Sequence, residues 1–289
     1  MAVTITGERF EARIDEAGAE LKGLRDRQTG TEYLWPGDAT WWSGSAPILF
    51  PNVGGLKDNK YTYRGAEYSL PQHGFARRSP FSVAAVSERS TSLELAANAE
   101  TRKQYPFEFR LRVTYVLEAA GLAVQYDVAN AGADTMYFSI GSHPALRVPF
   151  AGGQLENYYL HFSEEENLER HFFDNGLILE KTAPAFDTRR QIFLRLDLFD
   201  RGVLIFKHPA SRVVSIRNSR NPRAVSVVTG GAPYLGIWAK PGRCPFLCIE
   251  PWNGLPDSPD ATGDLTQKEG ILRLEAGGTF TSTYRIEIQ

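Results

Sequence analysis

The chain has 289 residues, with 32 basic and 34 acidic side chains and a formal net charge of −2. That balance argues against nucleic acid or an anionic membrane as the main partner. No apolar run reaches the roughly 18–20 residues a membrane-spanning helix needs.

Met1 to Glu8 lacks the basic region and apolar core of a secretory signal. A prior of about 150 residues per domain suggests two domains, but large β-sandwiches exceed it as one unit. With no linker in sight, a single domain over residues 1–289 is expected. Cys244 and Cys248 are the two cysteines. On an extended strand they would lie about 13 Å apart, at a rise of about 3.3 Å per residue, too far for a disulfide. Reduced thiols fit a cytoplasmic protein, and neither cysteine sits in a zinc-ligand spacing.

In chain order, residues 3–5, 10–14 and 20–24 are short strand candidates broken by Gly7, Gly18 and Gly30. Residues 35–55 carry three Trp and three Pro among several glycines. Such a stretch cannot be an ordinary ladder strand and suits a folded loop that shapes a cavity. Leu70-Pro-Gln-His-Gly-Phe-Ala-Arg-Arg78 then sets His73 and Arg77 around Gly74. Residues 96–104 are ambiguous, and Pro106 would end any helix there.

Residues 109–117 read as a strand, and 122–128 more clearly so. Leu122, Val124, Tyr126 and Val128 share one face, with Gln125 and Asp127 on the other. Further strands are expected at 137–140, 158–162, 203–207, 213–217, 224–228 and 234–238. Residues 264–270 suit one helical turn capped by Asp264. Phe280, Ser282, Tyr284, Ile286 and Ile288 form the apolar side of a last strand. Strands this frequent, without long amphipathic helices, predict an all-β sandwich of antiparallel sheets.

Phe246-Leu-Cys-Ile-Glu-Pro-Trp-Asn-Gly-Leu-Pro-Asp257 carries the chemistry. An apolar strand is expected to end at Glu250, with Pro251, Gly254 and Pro256 stopping regular structure. A carboxylate at that lip is positioned and partly desolvated, which raises its pKa and makes it a better proton acceptor. The plainer alternative is a structural Glu held by backbone amides. Of five histidines, two have unusual settings. His73 precedes Gly74. His143, in Ile140-Gly-Ser-His-Pro-Ala145, is held in direction by Pro144, as a proton donor must be. Taken singly, each is more often a satisfied core histidine. His161, His171 and His208 are read as structural, and no histidine spacing fits a metal motif. There is no Gly-x-Ser-x-Gly elbow and no phosphate or dinucleotide loop. A Glu, an imidazole pair, an Arg and several Trp suit proton transfer on a sugar ring. Trp238 and Trp252 are the better wall candidates. Of the adjacent Trp41 and Trp42, at most one would face a ligand.

These motifs, with Glu32-Tyr-Leu-Trp35, Ala46-Pro-Ile-Leu-Phe-Pro-Asn-Val-Gly54, Tyr137-Phe-Ser-Ile-Gly-Ser-His-Pro144 and Tyr234-Leu-Gly-Ile-Trp238, resemble the aldose 1-epimerase (mutarotase) superfamily. The bacterial LacX-like branch is the most similar. The resemblance spans nearly the whole chain. It implies a large galactose-mutarotase-like antiparallel β-sandwich and cofactor-free interconversion of the α and β anomers of an aldose. It also implies Glu250 as general base, His143 as general acid, His73 near the sugar ring oxygen, and Arg77 on a hydroxyl. Asn52 falls in the matching loop and is expected to bind substrate. The substrate-binding aspartate of galactose mutarotases has no clear counterpart; Asp197 and Asp200 are the nearest candidates. The expected working state pairs ionised Glu250 with protonated His143. A free aldohexose is the expected substrate and a metal is not expected. Hexose 6-phosphates, or sugar binding without turnover, are the alternatives, and monomer or homodimer is left open.

Overall fold

The computed structural model describes residues 1–242 and 244–289. Antiparallel ladders dominate it. A nine-stranded sheet runs, edge to edge, through Gln191–Phe193, Tyr158–Phe162, Val213–Asn218, Asn221–Val228, Thr279–Ile288, Gly121–Asn130, Phe109–Glu118, Ser90–Ala96 and Ser82–Val86. The two strands with the clearest alternation, Gly121–Asn130 and Thr279–Ile288, lie side by side. Val124 pairs with Tyr284 and Leu122 with Ile286, so the apolar faces read from sequence combine into one surface.

An eight-stranded sheet holds Leu177–Pro184, Glu169–Asp174, Leu204–Lys207, Tyr234–Trp238, Phe246–Asn253, Ile140–Ser142 and Ile48–Leu49, with Ala145–Arg147 also on Phe246–Asn253. One apolar cluster joins both large sheets, with Leu111, Val113 and Tyr126 from the first and Phe206, Ile237 and Ile249 from the second. This is the sandwich expected from the strand pattern. Ala2–Thr6, Phe10–Asp15 and Leu21–Asp26 form a separate three-stranded sheet.

The ambiguous stretch holds the helix Ala99–Gln104. Asn98 caps it, accepting from the amides of Glu100 and Thr101, and it ends before Pro106. Asp264 caps the 3₁₀ turn Leu265–Gln267, as its sequence suggests. Residues 137–140 depart from expectation. They split at Ser139, whose amide donates to the Pro51 carbonyl (2.8 Å), so Met136–Phe138 and Ile140–Ser142 enter different sheets.

The strand around Glu250 also differs. It does not end there but runs over Phe246–Asn253, through Pro251. Along one edge it pairs continuously with Tyr234–Trp238. Along the other, Ala145–Arg147 pairs with residues 246–248 and Ile140–Gly141 with 252–253. Residues 249–251 therefore have no ladder partner on that edge. A proline fits where no ladder N–H is required. Ser142, His143 and Pro144 cross the gap, which brings His143 beside Glu250.

Candidate active site

Glu250 and Trp252 alternate with Ile249 and Pro251, so they leave the same face of their strand. That face floors a cavity of about 300 Å³, enough for a monosaccharide. His143, His73 and Arg77 also line it, as do Trp42, Trp238 and Trp252. Glu250 is 1% exposed. Its Oε2 lies 3.4 Å from His143 Nε2. Neither Glu250 oxygen has a hydrogen-bond partner, and His143 Nδ1 is equally unpaired.

Burial pushes the Glu250 carboxyl well above the usual carboxylate range, and the Trp252 indole beside it draws it only part of the way back. Burial likewise holds His143 well below an ordinary imidazole, helped by His73 and the Arg77 charge. The favoured state therefore puts the shared proton on Glu250. That is the reverse of the charge-separated pair expected from sequence. Desolvation is the leading cause for both groups, and it penalises each charged form.

The imidazole of His143 is walled by aromatics. Its ring centroid lies 4.9 Å from that of Trp42 and 5.6 Å from that of Trp238. Trp42 is set by the Trp35 indole, which donates to its carbonyl at 2.7 Å. Trp41 lies outside the cavity lining, near the Lys240 ammonium. The loop carrying these tryptophans is tied down by Glu20, whose carboxylate accepts from the amides of Ser45 (2.6 Å) and Ala46 (3.0 Å).

His73 is held by Gly54 in both directions. The His73 amide donates to the Gly54 carbonyl at 2.8 Å. The Gly54 amide donates to His73 Nδ1 at 3.0 Å. A neutral ring accepting at Nδ1 carries its proton on Nε2, so His73 presents a donor. Gly54 has a φ of 72°, and a Cβ there would fall 2.3 Å from Pro256, so no larger residue fits this clasp. His73 itself has a φ of 65°, a strained value of the kind found at functional sites.

Asn52 is placed differently from the sequence expectation. It is 2% exposed and absent from the lining, and its side-chain amide donates to the Gly54 carbonyl (3.0 Å). It lies behind the wall and positions Gly54, and through it His73. Asp197 and Asp200 are corrected too: both are exposed, neither lines the cavity, and Asp197 pairs with Arg195. Among the described lining residues Glu250 is the one carboxylate. The wall where sequence reasoning sought an aspartate contains Phe173, Gly202 and Val203 instead. No motif pointed to these three. Gln72 and Pro256, also in the lining, were legible as neighbours of His73 and of the Glu250 strand. His161, His171 and His208 lie outside the lining.

Residues 1–272 match the aldose 1-epimerase family profile. The chain belongs to the aldose 1-epimerase family. It is 30% identical to the plasmid-borne protein LacX of Lactococcus lactis subsp. lactis, covering 100% of this chain and 99% of that one. A galactose mutarotase related enzyme from Lactobacillus acidophilus superposes with a TM-score of 0.93 at 34% identity, over 100% of this chain and 97% of its own. A galactose mutarotase-like protein from Lactobacillus casei ATCC 334 gives 0.92 at 32% identity, over 100% of both chains. The fold is thus the galactose mutarotase-like sandwich. No described helix is long and apolar enough to cross a membrane.

His73 also leaves a mark on stability. Burial, and then the Arg77 charge, push its imidazole from 6.5 down to about 3. Between those values the unfolded chain holds a proton that the folded chain refuses, so stability falls as pH drops through the window. His73→Asn keeps an acceptor and a residue that tolerates positive φ, but removes the titration. Its unfolding midpoint, followed by circular dichroism, should fall less steeply from pH 6.5 to 3 than wild type's. An equal slope would remove His73 from this account.

Proposed function

We propose that this member of the family is an active aldose 1-epimerase acting on a free aldohexose. The observation that carries the reading is the buried His143–Glu250 pair, 3.4 Å apart, facing a monosaccharide-sized cavity with tryptophan walls. A pyranose stacks its C–H face on the indoles. Its hydroxyls donate to the unpaired Glu250 oxygens and so stabilise the carboxylate, releasing the proton to His143 across the short gap. Glu250 then takes the anomeric hydroxyl proton while His143 protonates the ring oxygen. The C1–O5 bond breaks, the aldehyde turns about C1–C2, and reclosure on its other face reverses both transfers. His73 Nε2–H serves as a donor near the ring oxygen, and Arg77 as a donor to a hydroxyl. These transfers are complete without a cofactor. Buried, unpaired Cys244 and Cys248 support a cytoplasmic setting.

The test is polarimetry on freshly dissolved α-D-glucose and α-D-galactose. Faster approach to anomeric equilibrium than in buffer is expected with at least one of them. A second reading, a hexose 6-phosphate, draws on Arg77, which lines the cavity with no ion pair among the described residues. No acceleration with either hexose or its 6-phosphate would reduce the protein to a sugar binder.

A further inference from the structure

Cys248 has no part in the reaction just described, yet it stands beside the reacting pair. It precedes Glu250 by two positions on one strand, so both side chains leave the same face. The ligand atoms of His143, Cys248 and Glu250 all lie within 4.8 Å of one another, and all three residues are buried. A further observation points to a missing partner there. Both Glu250 oxygens are buried without a hydrogen bond, and His143 turns its Nε2 toward them. Cys248 is a free thiol.

We propose that His143, Cys248 and Glu250 form a binding site for a thiophilic divalent cation, with zinc the best fit, and that filling it stops turnover. A cation at the centre of donors so spaced lies no more than about 2.8 Å from each. Zinc bonds of about 2.0–2.3 Å then require each donor to close in by roughly half an ångström or slightly more. Sulfur, imidazole nitrogen and carboxylate oxygen are a zinc donor set, and the thiolate selects against magnesium and calcium. The thiol and carboxyl protons leave to solvent on binding. The resulting centre is electrically neutral, which suits a buried position. Because thiolate and carboxylate cancel the cation's own charge, Arg77 meets no net positive charge there. A fourth coordination position is left toward the cavity, for water or a sugar hydroxyl. With its oxygen on zinc, Glu250 can no longer receive the anomeric proton, and His143 has lost its free lone pair.

Binding is read without turnover, so its failure is distinct from failure of the epimerase reading. Zinc is titrated into the purified protein against a chromophoric chelator. One equivalent is expected to bind, and Cys248→Ala to weaken it by at least about 100-fold, beyond what loss of an outer-shell partner costs. Cobalt in place of zinc should give a thiolate charge-transfer band that Cys248→Ala removes and Cys244→Ala keeps. Cys248→Ser serves as a second variant should the alanine form be unstable. In the polarimetric assay zinc should slow the wild type and leave Cys248→Ala largely untouched. Absence of stoichiometric binding, equal affinity in both cysteine variants, or full turnover with zinc bound would each overturn the proposal.

Discussion

Glu250→Gln should lower catalysed mutarotation by about 10²–10⁴-fold, the range that one positioned proton-transfer group supplies. The substitution keeps shape and removes the proton acceptor. The usual objection, that a buried variant simply unfolds, is answered by the site's own energetics. Glu250 is 1% exposed and neither of its oxygens is paired, so an ionised carboxylate there carries an uncompensated desolvation cost. A neutral amide, though equally unpaired, carries a smaller one. The variant is expected to unfold at the same temperature as wild type or higher, and to bind sugar with similar affinity. Three measurements therefore separate the roles: polarimetry for turnover, calorimetry for binding, and thermal unfolding for stability. Turnover retained within a few-fold would remove Glu250 as the base. Lost turnover with a lower unfolding temperature would make it a structural residue.

Lys268→Met should cost about 3–5 kcal/mol of unfolding free energy, the cost of breaking a buried ion pair from one side. Lys268 and Asp257 have side chains only 4% and 5% exposed, with Nζ 2.8 Å from Oδ1. The ammonium also donates to the Leu255 carbonyl at 2.7 Å. The other Asp257 oxygen accepts from the Lys57 amide at 3.0 Å. Burial pulls Lys268 below an ordinary lysine, and Asp257 draws it back toward the charged form. With Met at 268, Asp257 keeps a buried charge with one partner gone. Adding Asp257→Leu should recover most of the loss, because an apolar pair of similar volume removes both desolvation costs. Urea unfolding of the single and double variants decides this. A loss below about 1 kcal/mol would equate the pair with a surface salt bridge. The same pair braces the turn that sets Pro256 against Gly54, and through Gly54 the His73 ring. Lys268→Met should accordingly raise KM more than it lowers kcat.

Much of the frame was legible in the chain. The alternation in Gly121–Asn130 and Thr279–Ile288, the cap at Asp264 and the spacing of Glu250 and Trp252 follow from backbone stereochemistry over a few residues. The nearness of Cys248 to Glu250 could have been read from the same i, i+2 rule. The motifs around His73, His143 and Glu250 marked three segments far apart in sequence that meet at one cavity. What local rules could not supply was the pairing of distant strands. Pro251 reads as a strand breaker, yet the strand continues because its neighbour is interrupted at His143. Asn52 reads as a binder, yet it lies one layer back because Gly54 needs its amide. Phe173 and Gly202 carry no local signal, and they reach the cavity because Glu169–Asp174 and Leu204–Lys207 join the same sheet. Local alternation thus decided which side of a strand a residue takes. Which side faces the cavity, and how strongly Glu250 and His143 are desolvated, depended on burial by chain segments tens to hundreds of residues away.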